Sequence, residues 1–156
     1  MIEHYLQVGM KRSQRDAVVA MLTFQPELMG EFVRLVLVGT RTQRMKGAWV
    51  LSGVHAENNS LLRPHYPEIL LHLHSEEIGG VKRELLKCFV KARLSSDSLQ
   101  QLLLIAMKWV TDHNQDLAIR YVCHKILKER LADFPELNTE LKERIELYRD
   151  KFGRFP

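Results

Sequence analysis

QRMKGAWVLSGVHAENNSLLRPHYPEILLHL, Gln43 to Leu73, decides the fold. Met45, Ala48, Trp49, Ser52 and Ala56 recur at helical spacing, with Val50, Leu51 and Val54 on the adjoining face. A helix apolar over so much of its circumference is buried on more than one side. Gly47 and Gly53 allow neighbouring helices to come close, although each costs about 1 kcal/mol against Ala in a helix interior. Asn58, Asn59 and Ser60 interrupt the pattern and offer capping side chains. A second helix follows on Leu61, Leu62, Tyr66, Ile69, Leu70 and Leu73. Pro64 and Pro67 lie inside it, and each removes a backbone donor, so this helix must kink or restart.

The rest of the chain reads as looser copies of that unit. Ser13 with Asp16 resembles a capping box, ahead of a helix on Ala17, Val18, Met21 and Leu22. Gln25-Pro26-Glu27 closes that helix and opens one on Leu28, Phe32, Leu35 and Val36, which Gly39-Thr40 ends. After the central pair, Gly79-Gly80 marks a break. Val81, Leu85, Cys88, Phe89 and Ala92 form the next stripe. Ser95-Ser96-Asp97 caps a helix over residues 98–111 that is apolar almost all round and is expected in the middle of the packed layers. Leu117 to Leu127 carries another stripe. Asp133-Phe134-Pro135 starts the last helix, where Leu137, Leu141, Ile145 and Tyr148 make one narrow apolar line on a charged cylinder. Such a helix packs on one side only, so 136–151 is read as a C-terminal cap. Residues 1–12 read as either a short helix or an extended arm, and the order of the tail from Phe152 to Pro156 is left open.

A chain of 156 residues, 46% apolar and 27% charged, suits one domain with a sizeable core. Strand and hairpin signals are nearly absent. The net charge of +4 is weak evidence for an anionic partner. The start of the chain has no secretory apolar core, and the longest apolar run, Leu102 to Met107, is far short of the roughly 20 residues a membrane span needs. With two cysteines, Cys88 and Cys123, buried free thiols in a reducing cytoplasm are expected, and no membrane partner.

LLRPHYPEILLHL, with Leu61, Leu62, Pro64, Pro67, Ile69 and Leu70, resembles the first helix of a HEAT-type repeat, which is often bent by a proline. RMKGAWVLSGV, with Arg44, Ala48 and Leu51, resembles the second helix of such a repeat. Arg44, Arg83 and Arg120, each near the start of a helix, are separated by 39 and 37 residues, near the roughly 40-residue period of HEAT and armadillo units. The resemblance implies an all-α fold: a right-handed α-α superhelix of three to four HEAT-like helical hairpins, one domain spanning 1–156.

No Gly-rich phosphate loop, HExxH or CxxC occurs, so no catalytic residue and no cofactor is assigned. His72 and Glu76 are four apart and suit one helix face, but a pair without a third ligand makes no metal site. Trp49 and Trp109 sit in strongly apolar helices and read as core. Three basic clusters stand out: Lys11, Arg12 and Arg15; Arg41, Arg44 and Lys46; and Lys82, Arg83, Lys87, Lys91 and Arg93. In a HEAT-type superhelix the second helices line the concave surface. Arg44, Lys82, Arg83, Arg120 and His124 are therefore the candidate partner-binding residues. The resemblance implies a scaffold holding a protein or peptide in its groove. The alternative it implies is a nucleic-acid backbone on a basic stripe, as in the DNA-repair glycosylases built on HEAT-like repeats. A single-sign stripe favours nucleic acid, and a mixed or apolar groove favours protein.

Overall fold

The computed structural model describes residues 2–156, and among them there is no β-strand. The α-helices are α1 (Arg12–Phe24), α2 (Met29–Val38), α3 (Arg41–Asn58), α4 (Tyr66–Leu73), α5 (Gly79–Lys87), α6 (Ser96–Val110), α7 (Leu117–Arg130) and α8 (Pro135–Phe152). Consecutive odd-numbered helices α1, α3, α5 and α7 pack side by side as one layer. In the other layer α2 meets the turn before α4, and α4 packs on α6. The hairpins are α2–α3, α4–α5 and α6–α7, with α1 before them and α8 after. Residues 2–10 lie against the stack: a 3-10 turn over Ile2–Tyr5 with Ile2, Leu6 and Met10 buried.

The central stretch behaves as its residues demand. Thr40 caps α3, its hydroxyl accepting from the Gln43 amide at 3.3 Å while Gln43 Oε1 accepts from the Thr40 amide at 2.9 Å. This reciprocal pair satisfies two otherwise orphaned donors. Asn58 then accepts from the Ser60 amide at 3.2 Å and opens a 3-10 segment over Asn59–His65 that contains Pro64. The α-helix resumes only at Tyr66, with Pro67 in its first turn, where the missing amide costs nothing. Ser95 caps α6 through the Ser98 amide. At α1 the expected Ser13–Asp16 box does not form. The cap lies two residues earlier, at Lys11, and the helix starts at Arg12; the Gln14 side chain accepts from the Lys11 amide at 2.7 Å, and Asp16 instead pairs with Arg12 and Arg15.

Helix α3 is the hub, touching α1, α2 and α5. Its two glycines explain how. A Cβ on Gly47 would stand 2.5 Å from Val36 Cγ2 of α2, and one on Gly53 would stand 2.7 Å from the Arg15 guanidinium and 2.8 Å from Val19 of α1. Each glycine is a point of contact with a different neighbour. Helix α6 differs from its expected place in the middle. Leu102, Ile105, Ala106 and Val110 are buried, but Leu104 is 55% exposed, because α8 does not close over that edge.

Gly53→Ala is expected to lower stability by about 1–2 kcal/mol, the overpacking penalty exceeding the gain in helix propensity. Gly30→Ala in α2, where a Cβ meets only His65 at an ordinary 3.7 Å, is expected to be neutral or stabilising by about 0.5 kcal/mol. Urea unfolding of the two variants checks this; a stabilised Gly53→Ala would contradict the close approach of α1 and α3.

Candidate binding face

Four helices of the odd-numbered layer carry a cation at the same place. The fourth residue of α1, α3, α5 and α7 is Arg15, Arg44, Lys82 and Arg120. A positive charge in a first helical turn opposes the helix dipole, so the placement needs a reason beyond the helix itself. The reason is the acceptor ahead. Arg15 Nε donates to the Trp49 carbonyl at 3.2 Å, and its guanidinium lies 5.3 Å from the Trp49 ring. Arg44 donates to Glu76. Lys82 Nζ donates to Gln115 Oε1 at 3.0 Å and sits 4.9 Å from the Trp109 ring. Arg120 donates to the Tyr148 hydroxyl and faces the Tyr148 and Phe155 rings, each 5.1 Å away. Each cation reaches out of its own helix into the next unit of the stack, so together they form a ladder.

Glu76 is the most constrained rung partner, its side chain 1% exposed. One carboxylate oxygen accepts from the Ile78 amide at 3.0 Å and so caps the start of α5. The other receives Arg44 of α3 and His72 Nε2 of α4, the latter at 2.5 Å. Burial alone would raise the Glu76 pKa, but hydrogen bonds from His72, the Ile78 amide and Arg44, with the Arg44 charge, hold it below the ordinary carboxylate value. Arg44 thus supplies the third partner of the His72–Glu76 pair. Among the described residues no group of three or more His, Cys, Asp or Glu could hold a metal ion.

The candidate residues divide accordingly. Arg44, Lys82 and Arg120 come into register, at separations of 38 and 38 residues, and are half-buried. Arg83, one residue beyond the rung, points to solvent. Its Nε donates to Glu84 Oε1 at 3.2 Å, which also accepts from Lys87 Nζ at 3.0 Å. Glu84 Oε2 accepts from Ser52 Oγ at 2.7 Å, tying α5 to α3. His124, one turn after Arg120, is half-buried beside Phe155, and burial together with the charges of Lys128 and Arg149 lowers its pKa. Trp109 is buried, whereas Trp49 is partly exposed between Arg15 and Lys46. Both thiols are free and buried, and burial pushes the Cys123 pKa up to about 12, so neither is nucleophilic at neutral pH.

Sequence reasoning missed three features. Arg15 is a rung, which its position four residues into a helix signals once the helix start is known. Tyr148 and Phe155 take the last rung, and no local pattern announces that. An open groove of about 840 Å³ lies between α6 and α8, floored by Leu99, Leu103, Leu104 and Met107 and walled by Phe134 and Leu137. It exists because α8 carries only a narrow apolar line.

The family model for a HEAT repeat domain matches residues 2–153. No curated protein and no solved structure matches the chain.

Because the folded pKa of Glu76 is lowered, its contribution to stability is present above the unfolded carboxylate value of about 4.3 and is lost as pH falls through the folded value. Glu76→Gln is therefore expected to cost about 2–3 kcal/mol at pH 7, with the gap to wild type shrinking by pH 3.5. Urea unfolding at both pH values measures it. A gap that stays constant or widens on acidification would contradict the Glu76 junction.

Proposed function

For a chain that belongs to the HEAT repeat domain family, we propose the role of a helical scaffold that holds a protein or peptide partner along the α1, α3, α5 and α7 layer, the concave side of such a superhelix. One observation carries the reading: the charge of this layer is mixed and largely engaged. Arg44 is paired with Glu76, Lys82 is on Gln115 and Trp109, Arg120 is on Tyr148, and Arg83 and Lys87 share Glu84. Between these cations stand exposed apolar side chains, Met45 on α3 and Leu117 and Tyr121 on α7, the last 49% exposed. Apolar anchors rimmed by polar groups suit a protein surface. Phosphate binding needs cations free to displace counterions. Arg83, exposed and on the same helix as Lys82, is proposed as a direct contact, with Lys82, Arg44, Arg120 and His124 as further contacts on the same layer.

No helix among the described residues is long and apolar enough to cross a membrane. What supports a cytoplasmic setting is the pair of buried free thiols.

Selection of 15-residue peptides on the immobilised protein is expected to enrich binders whose affinity falls at least about tenfold in Arg83→Glu/Lys87→Glu, the loss of roughly 1.4 kcal/mol expected when contact charges are reversed. The same assay is run with labelled single- and double-stranded DNA and RNA at about 50 and 200 mM salt. Nucleic-acid binding that falls steeply with salt and is lost in the double variant, with no peptide enriched, would overturn the protein-binding reading.

A further inference from the structure

The last rung of the ladder is unlike the others. Arg44 meets a carboxylate and Lys82 an amide oxygen, whereas Arg120 meets only a phenol and two rings. The Nε atoms of Arg44 and Arg120 are both buried without a partner, but only Arg44 has a carboxylate on its guanidinium. Lys128 and Arg149 lie close enough to His124 to act on it electrostatically. Among the described residues no Asp or Glu side chain pairs with Arg120, Lys128 or Arg149. A half-buried guanidinium without a counter-ion is a costly arrangement, and a carboxylate brought to it gains accordingly.

The space beside Arg120 is filled by the chain itself. α8 ends at Phe152, Gly153 turns the backbone at φ +91°, and the following residues fold back. Phe155 is 1% exposed, its ring 5.3 Å from Tyr121, 5.6 Å from Tyr148 and 6.2 Å from His124. Arg154 before it is exposed. The polar ties of the segment come from one side chain, Arg149, which donates to the Phe155 carbonyl at 2.7 Å and the Pro156 carbonyl at 3.4 Å. One ring and one arginine hold it. Replacing that ring by another aromatic side chain exchanges like for like, and the newcomer can add a side-chain carboxylate that Phe155 and its neighbours lack.

We propose that the pocket formed by Arg120, Tyr121, His124 and Tyr148 is a recognition site for a partner segment carrying an aromatic residue flanked by Asp or Glu, and that Phe155 occupies it until such a segment arrives. The site lies at one end of the layer assigned to partner binding and rests on that reading. The incoming ring takes the place of Phe155, and its neighbouring carboxylate pairs with Arg120 Nε.

The test is calorimetric titration of the peptide Glu-Asp-Phe-Glu-Asp into the full wild-type chain and into Phe155→Ala. Controls are the same peptide with Ala for Phe and with Gln and Asn for the acids. The acidic Phe peptide is expected to bind Phe155→Ala about tenfold or more tighter than wild type, the factor expected when a buried Phe no longer has to be displaced. Either control, and Arg120→Met in the Phe155→Ala background, is expected to lose that gain. Equal affinity for wild type and Phe155→Ala, or for the Phe and Ala peptides, would overturn the pocket. If binding is then equal but abolished by Arg83→Glu/Lys87→Glu, the groove reading stands and the pocket alone falls. Should Phe155→Ala lose helicity by circular dichroism, proton NMR of wild type decides. The Tyr121, His124 and Phe155 ring signals move saturably with millimolar peptide if the pocket exchanges its occupant. No movement refutes it.

Discussion

Each odd-numbered helix from α1 to α7 places a cation in its first turn, where the helix's own field disfavours it, and the stack depends on what that cation finds one unit further on. Helical hairpins of this size cannot bury their apolar faces alone and are stable only against neighbours. Apolar packing supplies most of the free energy but little of the register, since Leu against Leu tolerates sliding. A guanidinium or ammonium that must reach one oxygen or one ring does not. Arg15, Arg44, Lys82 and Arg120 therefore fix where α3, the α4–α5 turn, the α6–α7 turn and α8 sit relative to the helix before them.

The strongest rung is also the one that joins most elements. Glu76 caps α5, receives α3 through Arg44 and receives α4 through His72. Its carboxylate is out of water, so removing a donor leaves buried charge less fully compensated. The same engagement shapes the surface. The cations tied to the next unit are engaged within the fold, and Met45, Leu117 and Tyr121 stand exposed on the same helices. At the end of the ladder Arg120 meets the Tyr148 hydroxyl in place of a carboxylate or amide, and Phe155 packs over it.

Much of this was written locally. The proline pair at Pro64 and Pro67 announced a kink or restart, which takes the form of a 3-10 segment before α4; Ser95 announced the α6 cap, and Gly47 and Gly53 announced close helix approach, because each acts through its own backbone. The repeat phase was legible only in part. Matching arginine to arginine pairs Arg44 with Arg83, whereas the equivalent residue is Lys82, since a helix position recurs and a residue type need not. The Thr40–Gln43 box was hidden by reading Gly39-Thr40 as an ending only. The partners Glu76, Gln115 and Tyr148 lie 28 to 33 residues beyond their cations, and no local rule selects them. The groove beside α6 was illegible for the opposite reason, being made by contacts that α8 does not form.

The most direct measurement is a double-mutant cycle on Arg44→Met and Glu76→Gln, with unfolding free energies from urea titration at pH 7. A rung that holds neighbouring repeats in register predicts a coupling of about 2–3 kcal/mol between the two sites. Additivity within about 0.5 kcal/mol would mean that the contact contributes nothing of its own and that apolar packing alone sets the stack.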